Sequence, residues 1–381
     1  MATGGIANVL YTVPFRFPGL TTIGTIFFLF NIVLFIFNSV MLSLRFHLYP
    51  ETFKASFLHP TESLFVPSSV VSFGTILVNI SQYGLYKTGP WLNTTVCVLF
   101  WIDVALAFVA SFGIYLLMWS TQTHTIQQMT PVWIFPAYPL LIIGPHAGIL
   151  SSQLKQSRAF DIIIGGFTAQ GIGFMVSLMI YSAYLARLMT RKLPQESLRP
   201  GMFVSIGPCG FTVTGIINMA ANAQRAFPDD FMGDGPTAAM VLKVVGNFVG
   251  IWLWGLAIWF LFVSVGAHGP CMLQAKMPFA MTWYTFVFPN TALVTATFAI
   301  GKAFGSKVIQ VVGCVLTVIL IMVWIIVFIM MIRAIVLKQI LWPQKGEDKD
   351  EGGWKVTIQS DHPQNDGFTQ NKQEGSGADT V

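Results

Sequence analysis

Apolar residues run along this chain in roughly nine stretches of about 20 residues or more, separated by short polar turns. Segments such as Gly19–Leu44, Thr94–Trp119, Gly165–Met189, Ala238–Val265 and Val308–Val336 contain almost no ionisable side chain. An α-helix rises about 1.5 Å per residue, so such stretches match a hydrocarbon core of roughly 30 Å. The pattern predicts membrane helices over 19–44, 66–86, 93–119, 133–154, 162–189, 201–222, 237–265, 278–301 and 307–337. Ahead of them, Met1–Val13 is apolar, ends at Pro14 and reads as the second half of one more helix. It has no basic segment before its apolar residues, unlike a secretory signal. After Val336 the character changes. Residues 338–381 are rich in Gly, Asp, Glu, Gln, Asn and Lys, which predicts a disordered tail behind a membrane domain of residues 1–337.

Composition sharpens this reading. The chain is 54% hydrophobic and 10% charged, against roughly a quarter charged in soluble domains, so a soluble globule is excluded. Cys97, Cys209, Cys271 and Cys314 occur singly, without metal-ligand spacing, and read as small packing residues. The net charge of +5 comes from basic residues scattered over helix ends, which points to topology and to attraction of anions rather than to nucleic acid. Arg187, Arg191, Lys192 and Arg199 form the densest basic loop, and Arg333 and Lys338 fall on the same side, so that side and the C-terminus are expected in the cytoplasm. No phosphate loop, nucleophile elbow or zinc signature is present, which argues against an enzyme and implies no cofactor or metal.

Helix breakers alternate along the chain. With Met1–Val13 counted as the first helix, the odd helices carry Gly4 and Gly5, Pro67, then Pro131, Pro136, Pro139 and Pro145, then Pro208, then Pro278 and Pro289. The even helices have essentially no interior proline. A proline inside a helix removes a backbone hydrogen bond, which a bilayer tolerates only where protein or water can satisfy the freed carbonyl. Five bent odd helices are therefore expected around a central path, with five straighter even helices facing lipid.

Five ordered motifs carry a family resemblance: Met1-Ala2-Thr3-Gly4-Gly5-Ile6-Ala7; His59-Pro60-Thr61-Glu62-Ser63-Leu64-Phe65; Trp133-Ile134-Phe135-Pro136-Ala137-Tyr138-Pro139; Arg199-Pro200-Gly201-Met202-Phe203 with Ser205-Ile206-Gly207-Pro208; and Trp283-Tyr284 with Phe288-Pro289-Asn290. Together they resemble the tellurite-resistance/dicarboxylate transporter family within the voltage-dependent anion channel superfamily, and within it the fungal malic-acid transporters. The resemblance implies an all-α fold of ten helices in five hairpins around a pseudo-fivefold pore, with a first helix shortened in this chain. It also implies a plasma-membrane transporter of malate or a related C4-dicarboxylate, coupled to protons, and a homotrimer with one pore per subunit. Sulfite efflux or an inorganic-anion channel of the same fold is the alternative, and a non-transporting sensor is another.

Phe288, beside Pro289, resembles the phenylalanine that occludes the pore of channel relatives, and a bulky ring at a constriction can close a path by filling and drying it. A dianion crossing the bundle must exchange water for other donors; Thr3, Ser68, Ser205, Thr212, Thr214 and Asn290 on the odd helices are candidates, with backbone exposed around Gly4, Gly5, Pro67, Pro136, Pro139, Pro208 and Pro289. Serine and threonine also satisfy carbonyls of their own helix, the commoner role for any one of them. His146 is the candidate proton site, because imidazole titrates between about pH 5 and 8 and ionisable groups are rare within membrane helices. Asp103 and Lys243, on even helices, are expected to stabilise the bundle or to lie near an interface. His59 and Glu62 lack further ligands for a metal, and a helix cap at Thr61 and Glu62 explains the segment.

Overall fold

The computed structural model describes residues 1–60, 62–85, 88–123, 125, 126, 129–273 and 279–340, and the side chains of these except 197 and 270–273. Thr61, Pro278, the Cys271 side chain and the tail from residue 341 onward therefore lie outside the described residues. Twelve α-helices are described: α1 (Ala2–Thr12), α2 (Leu20–Leu48), α3 (Glu51–Leu58), α4 (Glu62–Phe65), α5 (Ser68–Tyr83), α6 (Pro90–Thr121), α7 (Tyr138–Ser151), α8 (Gln156–Arg191), α9 (Ile206–Ala226), α10 (Gly235–Leu273), α11 (Phe288–Ala303) and α12 (Lys307–Val336). Tighter 3-10 segments at Pro131–Ala137, Glu196–Ser205 and Met281–Phe286 lead into α7, α9 and α11.

The helices form two concentric layers. In the inner layer α1 touches α5, α5 touches α7, α7 touches α9, α9 touches α11, and α11 returns to α1, which closes a ring of five. Each outer helix lies in the groove between its own inner helix and the next one: α2 against α1 and α5, α6 against α5 and α7, α8 against α7 and α9, α10 against α9 and α11, and α12 against α11 and α1. The order inner-outer repeated five times is the expected set of five hairpins.

Burial separates the layers. Of the most apolar window, 89% is buried in both Pro131–Ser151 and Leu198–Ala226 and 50% in Glu62–Tyr83, against 22–39% in the windows of α2, α6, α8, α10 and α12. The outer helices leave large apolar side chains such as Val109, Phe112, Trp252, Phe262 and Val308 exposed. In a chain with helices long enough to span a bilayer, that belt is the lipid-facing surface. Close inner contacts rest on small residues. A Cβ on Gly210 of α9 would stand 2.6 Å from the backbone carbon of Ala292 on α11, so those two helices meet with backbone against backbone.

One sequence expectation is corrected by these boundaries. Pro139, Pro208 and Pro289 do not kink the middle of a helix; each lies in the first turn of α7, α9 or α11, and Pro67 is the cap residue before α5. First-turn N–H groups have no partner within their own helix, so proline costs little there and fixes a helical φ. The bend is the junction from a 3-10 segment to an α-helix. Pro136 lies within the 3-10 segment itself, and Pro145 alone of these stands inside an α-helix.

Candidate functional site

The junctions set aromatic rings at one level inside the ring of helices. Tyr138 is the first residue of α7, Phe288 the first of α11, and Phe211 lies in the second turn of α9. The centroids of Phe211 and Phe288 are 5.5 Å apart, and Tyr138 is 6.1 Å from each. Phe135 stacks on Tyr138 at 5.1 Å and Phe65 packs on Phe135 at 5.2 Å, extending the cluster toward α4. Tyr138, Phe288 and Phe211 are 0%, 2% and 5% exposed, so water does not reach between them. The Tyr138 hydroxyl donates to the Val204 carbonyl and the Tyr181 hydroxyl to that of Ser205, which ties the 3-10 segment before α9 to α7 and α8.

The hydroxyl and amide candidates are mostly engaged. Thr3 accepts a hydrogen bond from the Trp324 indole at 3.3 Å, toward α12. Thr212 donates to the Pro208 carbonyl at 2.6 Å and accepts from Gln170 of α8 at 2.7 Å. Thr214 meets Thr295 across α9 and α11 at 3.2 Å. The Asn290 amide donates to the Phe286 carbonyl at 2.8 Å. Ser68 is half-buried, and its carbonyl accepts from Ser72. Ser205 differs, because it is buried and its hydroxyl has no partner. Gly4 is held by two side-chain amides, its N–H donating to Asn31 at 3.1 Å and its carbonyl accepting from Asn79 at 3.0 Å. Gly5 seats Thr291 of α11, whose methyl would lie 2.8 Å from an added Cβ.

His146 is fully buried between α5 and α6. Its Nε2 lies 3.1 Å from the Ser81 hydroxyl, and the Phe100 ring stands edge to face at 5.3 Å. Ser81 already gives its hydrogen to the Leu77 carbonyl at 2.9 Å. The contact therefore assigns the proton to Nε2 and leaves Nδ1 an acceptor, buried and without a partner. Asp103 belongs to the same seam, its carboxylate 2.8 Å from where a Gly74 Cβ would stand on α5. Lys243 faces outward, exposed on α10. The cap near His59 comes from its own ring, since Nδ1 accepts the Glu62 N–H at 3.1 Å.

Sequence reasoning singled out Phe288 but not Tyr138 or Phe211 as its partners. Tyr138 belongs to a quoted motif, whereas Phe211 had no signal among 33 phenylalanines. The basic loop also divides: Arg187 is buried, while Arg191 and Lys192 are exposed.

The voltage-dependent anion channel family model matches residues 1–332. A malic acid transport protein of Schizosaccharomyces pombe is 35% identical over 350 residues, covering 91% of this chain and 79% of that protein. A putative malic acid transport protein of the same yeast is 31% identical, covering 92% and 81%. A sulfite efflux pump of Arthroderma otae is 27% identical and covers 86% of each chain. A match along nearly the whole membrane region, on a closed ring of inner helices wrapped by five outer ones, means that this chain belongs to the voltage-dependent anion channel family of membrane anion transporters.

Proposed function

We propose that this chain transports malate or a related C4-dicarboxylate along the axis of the inner ring, coupled to protons, with the Tyr138–Phe211–Phe288 cluster as its closed gate. The observation that carries the gate is the meeting of three rings from three inner helices at a level without water access. A hydrated dianion cannot shed its water into such a constriction, so the path is shut while the rings touch. Phe288 stands where the 3-10 segment becomes α11, so a small change at that junction, or a new rotamer, moves the ring aside. His146, buried with a free acceptor nitrogen, supplies the proton site.

Malate as the substrate is supported by the relatives at 35% and 31% identity. The sulfite reading is supported by the relative at 27%. Uptake of labelled malate into cells expressing the chain, compared between about pH 4 and pH 7, tests both. Saturable uptake that rises with acidity is the expected result. Absence of malate uptake together with lowered sulfite retention would replace the substrate.

A further inference from the structure

We propose that Arg187 and Tyr184, at the C-terminal end of α8, form an anion-binding site that takes a carboxylate, or an oxyanion of similar shape, before it reaches the aromatic constriction. As a way station for substrate the site rests on the transport reading above; as a binding site it stands on its own geometry. The buried residues of α8 recur at helical spacing, through Gly166, Gln170, Gly173, Ser177, Tyr181 and Tyr184 to Arg187. Arg187 thus ends the stripe that faces the inner ring, not the lipid.

Both side chains are more than nine-tenths buried, Arg187 at 6% and Tyr184 at 1% exposure. Arg187 donates from Nη1 to the Lys192 carbonyl at 2.6 Å, while its buried Nε and the Tyr184 hydroxyl have no hydrogen-bond partner. The two lie one helical turn apart on the buried stripe of α8. Among the described residues no carboxylate pairs with Arg187. A guanidinium keeps its charge under all ordinary conditions and offers five donors in a planar fork, of which one carbonyl engages one. Burying that charge without an anion is costly, and its fork matches a carboxylate.

The neighbourhood adds positive charge. Arg199 donates to the Pro194 carbonyl at 3.0 Å and to the Ala267 carbonyl at 3.2 Å, so two guanidinium groups grip the 192–194 loop from its two ends. Lys192 takes φ of 60° in that grip, a left-handed backbone unusual for lysine.

The test is thermal unfolding of the detergent-purified full chain titrated with malate, with sulfate and with phosphatidylglycerol, beside malate uptake by cells. Tyr184→Phe keeps the packing and Arg187→Lys keeps the charge, and each removes part of the donor set. The expected result is a malate-dependent rise in midpoint whose apparent affinity falls about tenfold in each variant, the loss of one hydrogen bond to a charged group. Unchanged affinity in both variants overturns the site, and so does stabilisation by phosphatidylglycerol with none by malate or sulfate. Normal uptake with unchanged affinity rejects the site and leaves transport standing. Absent uptake with affinity lost in the variants rejects the transport reading and leaves the site.

Discussion

Phe211 of α9 and Phe288 of α11 meet with ring centroids 5.5 Å apart and planes inclined at 43°, and Tyr138 of α7 closes over both at 6.1 Å. Phe288→Ala is expected to raise basal anion current in the absence of a driving proton gradient. Phe211→Ala is expected to raise it less, and the effect of the double variant to depart from the sum of the two single effects, because contacting residues couple. Tyr138→Phe keeps the ring and loses the bond to Val204, so it should leave the leak low at a stability cost of about 1 kcal/mol. Current recording at matched surface expression decides this, and a Phe288→Ala variant as tight as wild type removes the gate.

The close approach of α9 and α11 predicts a contrast between glycines. At Gly210 a Cβ would meet Ala292 backbone at 2.6 Å, whereas at Gly171 and Gly255 on outer helices it meets nothing within 4 Å. Gly210→Val should cost about 1–3 kcal/mol or more and reduce the folded yield. Gly171→Ala and Gly255→Ala should raise helix propensity and leave the yield at or above wild type. Fluorescence-detected size-exclusion chromatography after graded heating reads the difference.

The proposed proton site at His146 makes a separable prediction. His146→Gln retains a polar side chain of similar reach but cannot titrate, so uptake at about pH 7 should persist while its stimulation toward about pH 4 disappears. Ser81→Ala removes the acceptor of the Nε2 proton and should shift the acid-stimulation midpoint without abolishing uptake. Uptake that still climbs normally with acidity in His146→Gln moves the coupling elsewhere.

The layers were legible in the sequence because the cause is one-dimensional: length without charge marks a membrane helix, and breakers mark the helices that pack inside. The finer geometry is not one-dimensional. A 3-10 segment of six to ten residues has no hydrophobic period of its own, so Met281–Phe286 and the end of Glu196–Ser205 merged into the apolar runs, and Pro289 and Pro208 just beyond them read as mid-helix kinks. Nor does a proline position fix the rotation of a helix about its axis. The hydroxyls of Thr3 and Thr212, both expected along the path, meet Trp324 and Gln170 from outer helices. Phe211 and Phe288 are neighbours only because α9 and α11 close side by side. Arg187 was indistinguishable from Arg191 in the sequence, and only burial separates them.

At the start of α10, outside the apolar run, Asp234 accepts from the backbone N–H of Thr237 at 3.1 Å and from its hydroxyl at 2.7 Å. This is a capping arrangement, with the carboxylate filling donors that the first helical turn leaves open. Those bonds favour the ionised form and hold the Asp234 carboxyl below the usual range. A group whose pKa is lower folded than unfolded stabilises the fold above its unfolded value, near 3.9 for aspartate, and loses that contribution as pH falls through the folded value. Asp234→Ala should therefore unfold at a lower temperature than wild type at about pH 7, and the gap should narrow as pH is taken below about 4. Asp234→Asn should recover part of the neutral-pH gap, since its carbonyl can still cap, and should show none of the pH dependence. Melting curves of the three proteins across that range test the assignment, and a gap that stays constant with pH would mean the carboxylate charge contributes nothing to the cap.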